Sequence, residues 1–329
     1  RMAFRKWYGA VLVLFAALIN TPAIAEDIDL FTGTPPGGGQ VPTILLMMHN
    51  KTSTSANEAH GCRYNDTNTA PLMGDTVTGY EQCAIVNALL AVKGSSLEGK
   101  IRLGIMLFND RKFASFDNGS SLIGNGAGEC GFLAYVPKVM TGTNIDDLIR
   151  RVKLYNKNGT NDVTVSGTQV GDSMASAWAA LNGLTDTCGG NNIDYSSIKP
   201  DSTDCGSPVI IYIGNATTSN AKAEDATPTG RVMNLLKSQL TSRFGYAEGS
   251  PNFNRFTAEI PVALIDSQKD KYQADDWARF MNQVNVADSS QDDQNIRTYS
   301  VGVYDPTQTN IQDNIITQRV KLIENLRMI

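Results

Sequence analysis

The side chains best placed to do chemistry come directly after the apolar run Val41 to Met48: His49, Asn50, Lys51, Thr52 and Ser53. Two other segments have the same form. Thr168 stands in SGTQVGDSM just before a helical pattern, and IIYIGNATT leads from an apolar run into Gly214 and Asn215. Amides and hydroxyls at strand ends can hold a polar ligand or meet a protein surface. They retain a hard divalent cation against water only when a carboxylate joins them. Positions 49 and 214 offer none, and the Lys51 ammonium already brings a positive charge, so the loops predict polar contacts without metal or cofactor.

Other constellations are weaker. The two histidines, His49 and His60, lie eleven residues apart, and no third ligand stands at a metal-binding spacing. Asp172-Ser173 would need one of them as a base, but no G-x-S-x-G turn presents the serine, so no enzyme is predicted. GNGAG within Asp110 to Tyr135 has no apolar strand running into it and no Lys-Ser/Thr after it; this stretch reads as an irregular, Gly-rich insertion.

The elements that must carry the three loops follow from periodicity. Val41–Met48 is apolar without alternation, as a central strand covered on both faces requires. Lys100–Phe108, Pro208–Ile213, Glu259–Asp266 and Arg297–Tyr304 read as further strands, with Pro261 placing Glu259–Asp266 at an edge or bulge. Helices are predicted over Glu81–Val92, Ile145–Tyr155, the segment after Thr168, Arg231–Phe244, Asp275–Val284 and Ile311–Leu326. In the fifth, Trp277, Phe280, Met281 and Val284 recur at core spacing. Strand and helix alternate through the chain, which predicts a doubly wound, mainly parallel α/β sheet with helices on both faces and long loop insertions, among them the polar excursion Ala56 to Gly79.

Arg1, Arg5 and Lys6 precede a short apolar core, Tyr8 to Ile19, and Ala23-Ile24-Ala25 supplies small residues for cleavage. Residues 1–25 thus read as an export signal cut after Ala25, too short to span a bilayer as a helix. Residues 26–40 are acidic, then Pro/Gly-rich, and read as a flexible linker. The main domain is expected over 41–304, with 305–329 a closing helix or the start of a linker. Five cysteines in an exported chain predict disulfides with one thiol left over. Cys188 and Cys205 would close a polar loop of about 17 residues, a constraint of about 3 kcal/mol. Cys62 and Cys83 bracket a second loop, leaving Cys130; the sequence leaves the connectivity open. A net charge of −5 without a basic stripe argues against nucleic acid as a partner.

The three loops resemble the metal site of von Willebrand factor A domains, whose first loop reads DxSxS. Here His49 and Lys51 stand on its Asp and first Ser, Ser53 agrees, Thr168 falls on the ligand Thr, and Gly214 takes the place of the Asp in TDG. The resemblance implies a degenerate metal site. Across the mature chain, DIDLFTG, the EQCAIVNALLAV helix, CGSPVIIYIGN and above all DDWARFMNQVNVADSSQDDQNIRTYSVGVYD resemble the N-terminal region of type IV pilus tip adhesins of the PilC/PilY kind. That family continues into a β-propeller. No propeller blades are read in this chain, so the resemblance implies a fragment or truncated relative.

The function so implied is a non-enzymatic, pilus-associated surface module for adhesion and pilus assembly. Its partners would be minor pilins and surface ligands, reached by export through the periplasm to the pilus tip. A metal-dependent A-domain receptor and a purely structural envelope scaffold are the alternatives.

Overall fold

Strand β1, Thr43–Met48, is the middle of a five-stranded sheet, and each of its residues is buried. To one side lie β2, Arg102–Phe108, and the edge strand β3, Gly131–Val139. To the other lie β6, Val209–Gly214, and β7, Arg297–Gly302. β1 pairs in parallel with both β2 and β6, and β7 runs parallel to β6; only β3 is antiparallel. The computed structural model describes residues 41–48, 60–108, 131–155, 170–188, 191–196, 208–214, 231–259, 274–283 and 295–302. The chain divides into two units, Arg1–Gly39 and Gln40–Ile329, and every described residue belongs to the second.

The pleat sorts the core. Leu45 and Met47 share one face of the sheet with Met106, Leu133, Ile210 and Tyr212, in the register that pairs Met47 with both Met106 and Tyr212. This face meets helix α3, Val170–Asn182, together with α4, Arg231–Ser242, α5, Pro251–Glu259, and α6, Ala274–Gln283, through Trp178, Leu236, Leu240, Phe256, Trp277 and Phe280. Ile44, Leu46 and Met48 alternate with that set and are buried on the opposite face. There the crossover from β1 to β2 supplies α1, Val77–Val92, which packs on α2, Gly142–Leu154.

Several elements differ from those predicted. Gly131 to Tyr135, expected to be irregular, opens the edge strand β3. Pro137 interrupts its pattern, yet an edge strand tolerates a residue without an N–H. Pro137 also lies over Gly104, where an added Cβ would come within 2.7 Å of its ring, and the β2–β3 register shifts beside Gly104, between Leu103 and Ile105. Cys188 does not simply begin a polar loop. It ends β4, Thr185–Cys188, which forms a hairpin with β5, Asn191–Asp194. The buried Asp186 carboxylate accepts a 2.7 Å hydrogen bond from Ser176 of α3, which pins this hairpin.

Glu259, placed in a strand by its apolar neighbours, instead closes α5. The start of α5 is written in Ser250-Pro251, with proline at the first helical position and the serine hydroxyl accepting from Phe253 N at 3.3 Å. Residues 260–266, Cys130, Cys205, Val284 and the predicted helix Ile311–Leu326 lie outside the described residues. So does the expected export signal. No described helix is long and apolar enough to cross a membrane.

Candidate functional site

The connection from β1 runs to β2 on one side, while β6 leads to β7 on the other, so strand order reverses between β1 and β6. In an open α/β sheet the crevice beyond the carboxyl ends of such a pair is where ligands bind. Here Met48 is in register with Ile213 and Leu107, so three strands end side by side. Helix α3 starts at the same edge. A Cβ added to Gly131 would lie 3.2 Å from Ser173 O, and Gly131 pairs with Phe108, the last residue of β2.

The described framework therefore gathers the flanks of the three predicted loops. Gly214 closes β6 and is in register with Gly302 of β7. His49, Asn50, Lys51, Thr52, Ser53, Thr168 and Asn215 lie outside the described residues. Ser173 is fully buried within α3, so its hydroxyl is not presented as a nucleophile. Among the described residues no three His, Cys, Asp or Glu side chains cluster so as to hold a metal.

His60 has a structural task. Its Nδ1 accepts from Cys62 N at 2.9 Å, which leaves the ring proton on Nε2 to donate to Gly74 O at 2.9 Å. Both nitrogens are engaged in shaping the loop.

That loop, the described part of the polar excursion, is strongly tied, and its last residues, 77–79, already belong to α1. A disulfide joins Cys62 to Cys83 of α1 with Cα atoms 6.2 Å apart. Asn87 accepts from Asn65 N and donates to Arg63 O, both at 2.9 Å. Gln82 accepts from Met73 N at 3.3 Å and donates to Val152 O and Tyr155 O at 3.0 and 3.2 Å, satisfying carbonyls at the end of α2. Lys153 meets Asp66 at 2.6 Å, and its hydrogen bond holds that carboxyl below the ordinary aspartate value. Burial of Asp147 raises its pKa, but hydrogen bonds from Arg150 and Arg151 outweigh it and the net shift is downward. Tyr135 is pushed up to about 12 by burial, with the Asp147 charge adding to the effect. None of these ties was legible in the sequence beyond the Cys62 and Cys83 bracketing.

The protein is thus of mixed α/β class, with a mostly parallel central sheet. No protein-family model matches the chain, and no curated protein matches it. Among solved structures, 89% of the chain is similar to 56% of the PilB minor pilin from Streptococcus sanguinis, at 10% identity and a TM-score of 0.42. The pilus adhesin SpaC from Lactobacillus rhamnosus GG matches 87% of the chain over 27% of its own length, at 11% identity and a TM-score of 0.39. The human COPII-coat protein Sec24c matches 88% over 32% of its length, at 9% identity and a TM-score of 0.34. The chain spans less than two thirds of each.

Proposed function

We propose that this chain is a non-enzymatic, A-like module of an exported pilus-associated surface protein and that it engages partner proteins through the loops at the carboxyl ends of β1 and β6 and the amino end of α3. The observation that carries this reading is the reversal of strand order between β1 and β6, with Met48 and Ile213 side by side where the loops depart. The resemblance of the segment around Trp277 to Tyr304 to PilC/PilY-type tip adhesins supports the assignment to a pilus. A site built from His49, Lys51, Ser53, Thr168 and Gly214 favours polar and hydroxyl contacts with a protein over capture of a cation, because no carboxylate offsets the Lys51 charge. On this reading residues 1–25 are removed on export and 41–304 form the module.

The test is surface display. Protease-accessible or antibody-labelled protein is compared in cells with and without the pilus machinery. Export in both, with surface display only in the piliated cells, is expected. Equal display without the machinery contradicts the pilus assignment.

A further inference from the structure

Glu81 lies in the second turn of α1. It is 1% exposed, and neither carboxyl oxygen has a hydrogen-bond partner. Nothing in the proposed function uses it. Its neighbours in sequence are the points at which α1 is fastened. Gly79 sits so close to the loop that an added Cβ would come within 2.2 Å of Gly74 O. The Thr76 hydroxyl accepts from Gly79 N at 3.0 Å, Gln82 ties the helix to Met73 and to the end of α2, and Cys83 carries the bridge.

Among the described residues no charge compensates the carboxyl. On α2, Asp146 pairs with Lys93, Asp147 with Arg150 and Arg151, and Lys153 with Asp66. In the loop both nitrogens of His60 are bonded, and Arg63 and Asp75 are exposed. Of β1 and β2, only Arg102 bears a charge, and it lies at the amino end of β2, opposite the edge where α1 starts. None of these groups pairs with Glu81.

We propose that Glu81 is a proton-operated latch on the first turns of α1: with the carboxyl neutral these turns stay seated against the 60–76 loop and α2, and loss of the proton to water releases them. An isolated carboxylate is not stable in a dry interior, so ionisation requires exposure. The least costly exposure is local. It breaks the Gln82 bonds and the Thr76 cap, while the bridge and Asn87, further along the helix, keep the start of the loop in place.

The direction in pH follows from linkage. Burial raises the Glu81 pKa well above the ordinary 4.5, so the closed form binds the proton more tightly than the open form does. The closed state is fully favoured below 4.5 and loses ground as pH rises toward the pKa of the closed form.

Amide hydrogen exchange across a pH series, corrected for intrinsic rates, reads this directly. Protection at Gly79–Gln82 and Met73 is expected to fall by up to about tenfold per pH unit in that window. Glu81→Gln and Glu81→Met should flatten the dependence, and using both guards against a variant that does not fold. A slope unchanged in the variants overturns the latch. So does an absent slope in the wild type, or one shared equally by the amides of β1.

Discussion

The two faces of the sheet are held by different physics. On the α3 and α6 face, aromatic rings converge on Phe280, with Trp178, Phe256 and Trp277 at centroid distances of 5.1, 5.3 and 5.6 Å. On the α1 and α2 face the apolar layer is supplemented by a disulfide, a glutamine joining two helices, surface ion pairs and a buried carboxyl without a partner. Apolar burial is indifferent to pH and redox state. A disulfide and an unpartnered buried carboxyl are not, so the second face is expected to be the adjustable side and the aromatic cover the fixed one.

The fixed side should show the largest effect of a single substitution. Phe280→Ala removes the ring on which the others converge, at 2% exposure, and is expected to cost about 3–5 kcal/mol in chemical denaturation, the range for a large aromatic truncated in a packed core. That loss should be the same with and without reductant. A cost below about 1 kcal/mol would show that the rings are not the principal support of this face.

Opening the Cys62–Cys83 bridge, by reduction or by paired substitution to alanine, should cost about 3 kcal/mol, as expected for a loop with a sequence separation of 21. The denaturation midpoint of the isolated protein, with and without reductant, measures it. Because Asn87, Gln82 and the Asp66–Lys153 pair persist, the loss should appear as faster exchange in residues 60–76 while β1 and α3 stay protected. Uniform loss of protection would remove the distinction between the faces.

How much of this was legible in the sequence differs by region. The unbroken apolar run of β1 and the spacing of Trp277, Phe280 and Met281 announced the sheet and its aromatic cover, because these residues obey a single period. β3 escaped because Pro137 breaks its run, and the rule that edges tolerate proline applies only once the edge is known. α5 escaped because its helical period is short, although Ser250-Pro251 marked its start. The ties of the 60–76 loop are contacts between residues up to 87 positions apart, such as Asp66 with Lys153, and no local pattern encodes them. For the candidate edge, the sequence marked the loops and the structure supplies the strand order that brings their described flanks to one edge.

The central claim, that partner binding belongs to the carboxyl edge, is tested most directly by reversing charge at the two ends of the sheet. Lys51→Glu alters the loop after β1, whereas Lys100→Glu alters an exposed residue just before β2, at the amino edge. Both substitutions should change thermal stability by less than about 0.5 kcal/mol. In piliated cells displaying equal amounts of each variant, the account predicts that Lys51→Glu weakens adhesion and Lys100→Glu leaves it at the wild-type level. Equal adhesion by the two, or loss with Lys100→Glu alone, would contradict it.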